Sequence, residues 1–326
     1  MYNYSIIIPH YNVVELLTRC LRSIPIRDDI EVIVVDDSSS VSAEKLNSII
    51  EGARKGTRIV YLPLNGGAGR ARNIGTSLAT GRWVIYMDAD DYLLEGALDI
   101  FDRHCNLGCD ICIFGCKRVL SDTLQPAPIA FPNDVLDHYR AGRLSLRDTV
   151  RMHGVPHGMM ISRRFLSASG IVFPEIPCAE DITWCAELSF ATNNVIVSDD
   201  IPYAFTLREG SQSQRLPYSH IVITYKRMAM TEWLLLRKGY SNPNIQPDLR
   251  FLELAALVAF SYPFRAFSLL LRRNKIGALV SQVPQRYPAG SFRARFPRWH
   301  IVRLVLFAHL VYRVQWTYRR ILERTK

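Results

Sequence analysis

No apolar run in this chain reaches the roughly 20 residues that a membrane-spanning helix needs. The stretch 251–271 is broken by Glu253, Pro263 and Arg265, and the stretch 299–316 by Arg303 and Arg313. The start, MYNYSIIIPHYN, lacks a basic region, a useful apolar core and a small-residue cleavage site, so no secretory leader is expected. Cysteine is scarce and odd in number, seven in 326 residues. That count argues against a disulfide scaffold and for a reducing, cytoplasmic compartment. A dinucleotide fingerprint is missing as well. After Gly67 and Gly69 the next required glycine falls at 72, which is arginine, and the loop follows the third strand rather than the first. Internal repeats and low-complexity tracts are absent. With 48% hydrophobic and 21% charged residues, the composition excludes disorder, collagen and coiled coil.

What is present is divided unevenly. The net charge of +10 hides two regions: residues 1–212 carry 20 Lys/Arg against 26 Asp/Glu, and residues 213–326 carry 20 against four. Two parts are therefore expected, an acidic 1–212 and a basic, helical 213–326. A basic region of this kind meets nucleic acid or an anionic membrane face.

Short β-branched runs at 5–9, 31–35, 58–62 and 83–87 alternate with helical patterns at 13–24, 43–51 and 69–79. Further helix is expected at 98–105 and strands at 110–114, 158–162 and 195–197, with a Pro-rich loop over 120–135. Continuous apolar strands alternating with helices predict a mostly parallel sheet covered on both faces. Ligands of such sheets bind at the carboxyl ends of the strands. Those ends hold Pro9-His10-Tyr11-Asn12, Asp36-Asp37 and Asp88-Ala89-Asp90-Asp91.

Three carboxylates within four residues repel one another, and a divalent cation relieves that; hard oxygen ligands suit Mg²⁺ or Mn²⁺. An acidic turn capping the next helix is the alternative. Asp37 could accept hydrogen bonds from a base or ribose, or cap a helix. The glycine turn before Arg70 and Arg72 suits a diphosphate, against a solvated helix face for Arg72. Asp181, at the start of ITWCAELSFA, is a helix cap or a general base. Cys105, Cys109, Cys112 and Cys116 have spacings met in iron–sulfur and zinc sites, but their apolar neighbours favour buried structural thiols.

SIIIPHYN, EVIVVDDSS, GRARNIG…ATGRWVIYMDADDYL and PE…AED, in that order, resemble the family 2 glycosyltransferases of the GT-A fold over about residues 3–212. The tract ISRRFLSASGIVFPEIPCAEDITWCAEL resembles bacterial enzymes of surface-polysaccharide synthesis. The resemblance implies a Rossmann-like GT-A domain with a nucleotide-sugar half (1–105) and an acceptor half (106–212). It puts Pro9, Tyr11, Asn12, Asp37, Arg72 and Asp88 at the nucleotide sugar, with Asp37 on uracil. Asp90 and Asp88 would take Mg²⁺ or Mn²⁺, Asp90 directly, and Asp181 would be the general base of an inverting transfer from a UDP-sugar. His10 stands where the family varies, and His157-Gly158 replaces a more usual aromatic-rich stretch.

A nucleotidyltransferase is the competing enzyme reading, but it wants a basic Gly-rich loop after the first strand, where PHYN stands. A nucleic-acid-binding protein would use the basic region, yet its basic residues are interleaved with long apolar stretches. No nucleic-acid partner is expected. The expected partners are the donor, a glycan or lipid-linked acceptor, and an anionic membrane surface. Peripheral attachment to the inner face of the cell membrane would use Arg272, Arg273, Arg319, Arg320 and their basic neighbours.

Overall fold

The computed structural model describes residues 2–127, 132–176 and 180–208. The chain divides into two units between Leu216 and Pro217, and every described residue belongs to the first. The expected basic helices of 213–326 lie outside the described residues.

In chain order the first half comprises β1 (Tyr4–His10), α1 (Val14–Arg22), β2 (Ile30–Asp36), α2 (Ala43–Ala53), β3 (Arg58–Tyr61), α3 (Gly67–Leu78), β4 (Trp83–Tyr86), β5 (Tyr92–Leu93) and α4 (Ala97–His104). There follow β6 (Ile111–Ile113), β7 (Cys116–Leu120), α5 (Asn133–Arg140), α6 (Leu146–His153), β8 (Met159–Ser162), α7 (Arg163–Ser169), α8 (Glu180–Ala191), β9 (Val195–Val197) and β10 (Tyr203–Leu207).

Seven strands form one sheet in the order β3-β2-β1-β4-β8-β6-β9. β1, β2, β3 and β4 are parallel, and β8 alone runs against its neighbours β4 and β6. The mostly parallel sheet expected from the sequence is thus present. Pro9 sits inside β1 rather than ending it. The ladder to β4 stops at Ile7↔Tyr86, so the strand is free on that side where the proline's missing N–H falls.

Burial explains the continuous apolar strands. Along β1, Ile6 and Ile8 face one core with α1, α2 and α4, while Ile7 faces a second core with α3, α6, α7 and α8. The inner strands β1, β2, β4, β6 and β8 are covered on both sides, as a parallel sheet requires, while the edge strands β3 and β9 are only partly buried. α1 buries Leu17, Cys20 and Leu21, the spacing of one helical face. α6 starts at Ser145, whose Oγ accepts from Asp148 N at 3.1 Å.

A second, three-stranded sheet, β5-β10-β7, was not expected. β10 pairs parallel with β7 and antiparallel with β5. It sets Tyr203, Thr206 and Arg208 against the acids that follow β4. The expected loop over 120–135 also contains the end of β7 and the start of α5.

Gly81 packs directly on β1: a Cβ there would meet Ser5 N and Tyr4 C at 2.7 Å. Gly81→Ala is expected to cost about 1–3 kcal/mol, read as a lower urea midpoint of the full chain.

Candidate active site

β1, β2 and β4 end side by side, and their ends deliver the acids. Asp91 is fully buried. Its Oδ2 accepts from the Tyr203 hydroxyl at 2.6 Å and its Oδ1 from Thr206 N at 2.7 Å. The same Tyr203 oxygen accepts from Asp88 N at 3.1 Å. Burial first, then the Asp90 and Asp88 charges, push the Asp91 carboxyl up. Asp91 therefore anchors the acidic turn to the small sheet.

Asp90 presents its Oδ2 to Arg208 Nε at 2.8 Å, and its backbone oxygen accepts from Arg19 Nη2 and Thr206 Oγ1. Asp88 points the other way. Arg72 Nη2 donates to Asp88 Oδ1 at 2.8 Å, and Arg72 Nη1 donates to Glu180 Oε1 at 2.7 Å. The Arg72 side chain is 6% exposed, with its guanidinium 5.3 Å from the Phe173 ring. It was expected either at a diphosphate or on a solvated face. It is not on a solvated face: the structure places it as a buried bridge between the two acid clusters. Burial alone would raise the Asp88 carboxyl, but the Arg72 charge in direct contact outweighs it and holds it below the ordinary carboxylate range.

Asp181 lies beside Glu180 in the first turn of α8, half-buried, with Oδ1 accepting from Ile182 N at 2.9 Å. Its carboxyl is pushed up to about 7, chiefly by desolvation, then by the Glu180 charge, with Arg72 opposing. A carboxylate poised near neutrality can accept a proton from a hydroxyl.

The loops after β1 and β2 are tied together. Asn12 is left-handed at φ 53°; its Oδ1 accepts from Ser40 N and Ser40 Oγ at 2.8 and 2.9 Å. Asparagine tolerates that conformation better than most residues. His10 Nδ1 meets Asp36 Oδ1 at 2.7 Å, and both are buried. Both oxygens of Asp37 accept backbone N–H groups, from Gly66 and Gly67 at 2.8 Å each. Tyr11 is 50% exposed at the rim, just past His10 at the end of β1.

Among the described residues, one group of acids and histidines has the closeness of a metal site: ligand atoms of Asp88, Asp91 and His157 lie within 4.8 Å of one another. Asp90 is not in it. The four clustered cysteines are buried free thiols, with Cys109 and Cys112 Sγ 3.1 Å apart. No described helix is long and apolar enough to cross a membrane.

Residues 5–170 match the family model described as glycosyl transferase family 2. The chain belongs to that family. Its relatives include the poly(ribitol-phosphate) β-N-acetylglucosaminyltransferase TarS of Staphylococcus aureus, 27% identical over 93% of this chain and 53% of TarS. The chain thus spans about half the length of that relative. The crystal structure of S. aureus TarS 1–349 with UDP-GlcNAc superposes with a TM-score of 0.59 at 23% identity, covering 88% of this chain and 82% of that one. The mannosyltransferase PcManGT of Pyrobaculum calidifontis, in complex with GDP-Man and Mn²⁺, has a TM-score of 0.53 at 17% identity, over 95% and 86%. These likenesses identify the fold as GT-A.

In this family 2 chain the expected positions Pro9, Tyr11, Asn12, Asp37, Asp88 and Asp90 all fall at strand ends on the carboxyl edge of the sheet. Asp88 is joined to the Glu180-Asp181 pair through Arg72. Sequence reasoning missed the anchoring of Asp91, the bridge made by Arg72 and the position of His157. Only His157-Gly158 left a trace, as a departure from the family's pattern.

An elevated carboxyl is a stability cost. Between the ordinary range and about pH 7 the native state keeps a proton on Asp181 that the unfolded chain has lost, so stability falls as pH rises through that window. Asp181→Asn removes the cost. The variant is expected to melt several degrees above the parent at pH 8 and level with it near pH 4, measured by thermal unfolding.

Proposed function

We propose that this chain transfers a sugar from a nucleoside-diphosphate sugar, a UDP-sugar, to a hydroxyl of a glycan or lipid-linked acceptor in bacterial surface-polysaccharide synthesis. The observation that carries the reading is the pairing of two acid clusters across Arg72, at the carboxyl edge of a GT-A sheet. TarS, named for transfer to poly(ribitol-phosphate) and solved with UDP-GlcNAc, supports both the donor class and the acceptor class.

Each part of the site has a task in this reading. Pro9, Tyr11, Asn12 and Asp37 border the nucleoside, with Asp37 holding the glycine turn that faces it. Asp181 takes the proton from the acceptor hydroxyl, whose oxygen attacks the anomeric carbon while the bond to the diphosphate breaks. Attack on the face opposite the leaving group inverts the anomeric centre. Arg72 fixes Asp88 and Glu180, and so sets the donor-side and base-side acids at a constant spacing.

The donor set fits a divalent cation. It is made of hard carboxylate oxygens, and among the described residues Asp88 Oδ2 accepts no hydrogen bond while Oδ1 is held by Arg72. Asp88 and Asp90 would hold Mg²⁺ or Mn²⁺, which when bound supplies positive charge for the departing diphosphate. The Mn²⁺ in the PcManGT complex supports that choice. The basic region 213–326 would hold the enzyme on an anionic membrane face near a lipid-linked acceptor.

Asp181→Asn should keep UDP-sugar affinity while turnover falls about 10²–10⁴-fold, the usual worth of a general base. Intact turnover would remove Asp181 from the reaction. In the parent, kcat/KM should rise through about pH 7 as Asp181 ionises; a flat profile from pH 5 to 8 contradicts the assignment. Asp90→Ala, or EDTA, should abolish transfer; full activity in either would sink the metal assignment.

A further inference from the structure

His157 sits immediately before Gly158, whose φ of 72° opens the turn into β8. The histidine is 2% exposed. Its ring stacks on Tyr203, with 5.2 Å between centroids and 5° between planes, and lies 4.7 Å from Phe205. Among the described residues neither Nδ1 nor Nε2 has a hydrogen-bond partner. A buried polar group left unpaired costs about 1–3 kcal/mol. An apolar ring would stack equally well without that cost, so packing alone does not account for an imidazole here.

The nitrogen faces a second unpaired atom. His157 Nδ1 is 3.7 Å from Asp88 Oδ2, the oxygen that Arg72 leaves free. That gap is too long for a hydrogen bond. It is a separation that two ligands can have when each lies about 2.0–2.2 Å from one shared divalent ion. Asp91, anchored by Tyr203 and Thr206, brings its carboxylate to the same place.

We propose that His157 is a nitrogen ligand of the site's divalent cation, sharing the ion with Asp88. The proposal rests on the metal reading above and adds what carboxylates alone do not specify, the preference among metals. Carboxylate oxygens suit Mg²⁺ and Mn²⁺ alike, whereas an imidazole nitrogen adds little for Mg²⁺, more for Mn²⁺ and most for the later first-row ions such as Co²⁺. His157 therefore biases the site toward Mn²⁺ and Co²⁺ over Mg²⁺.

The test uses the full chain with its histidines ¹⁵N-labelled, loaded with Mn²⁺ alone and with Mn²⁺ plus UDP. Electron spin-echo modulation reads whether a histidine nitrogen lies on the ion, and the label separates it from the nitrogens of uracil. His157→Phe is the partner variant, because phenylalanine keeps the stack on Tyr203 and Phe205 and removes both nitrogens. Expected are ¹⁵N modulation in the parent, its loss in the variant, a fall in Mn²⁺ affinity of about tenfold or more, and Mg²⁺ affinity changed less than about twofold. Mn²⁺ bound without ¹⁵N modulation, or with unchanged affinity in the variant, overturns the ligand role and leaves the metal reading standing. Absence of Mn²⁺ binding by the parent under both conditions overturns both. Should His157→Phe fail to fold, His157→Leu takes its place, because all eight histidines carry the label and only a variant assigns the modulation to one of them.

Discussion

The guanidinium of Arg72 is the constraint on which the site depends. A buried cation is stable only when paired, and breaking such a pair costs about 3–5 kcal/mol. Its two partners come from distant parts of the chain, Asp88 at the end of β4 and Glu180, 108 residues away, at the start of α8. Neutralising Arg72 therefore requires both elements to be in place. The acid motif after β4 and the acid pair at the start of α8 form as one unit. Phe173 and Trp184, stacked at 4.2 Å and meeting Tyr86 edge-on, form the floor under this bridge.

One cation gives two acids opposite characters. Asp88, in direct contact with it, is held as an anion. Asp181, one residue beyond the bridge and beside the charge of Glu180, is raised toward neutrality. Neighbouring carboxyl groups pushed apart in this way divide the work of a site: one stays charged, the other exchanges protons. Asp91 takes a third part, since its satisfied, buried carboxylate locks the acidic turn onto β10 and so fixes how Asp88 and Asp90 are presented.

Local periodicity carried most of the fold. The strands β1 to β4 and the helices between them follow from continuous apolar runs and helical spacing, and the acids at their ends follow from the rule that ligands meet parallel sheets there. β5, β7 and β10 escaped because they are short and pair across 87 to 112 residues, as in Cys116↔Tyr203 and Ala204↔Tyr92. α6 was legible in hindsight from Ser145 and Asp148, a capping pair that the reading of 120–135 as loop did not reach. In the site, Asp88, Asp90 and Asp181 stood out because clustered acids are conspicuous in sequence. The partner of a buried arginine is not: Arg72 reads as a diphosphate contact or a solvated helix residue, and its pairing with Glu180 shows only when tertiary structure brings the two together. His157 was visible only as an unusual residue, because what makes it notable is the absence of partners for its nitrogens.

The most direct measurement is nucleotide release by the full chain from UDP-, GDP-, dTDP- and CMP-sugars in the presence of Mn²⁺, each compared with heat-denatured protein. Release of UDP from a UDP-sugar, above the denatured control and suppressed by EDTA, is the predicted result. Release of no nucleotide from any of these sugars, together with no binding of UDP, would contradict the assignment.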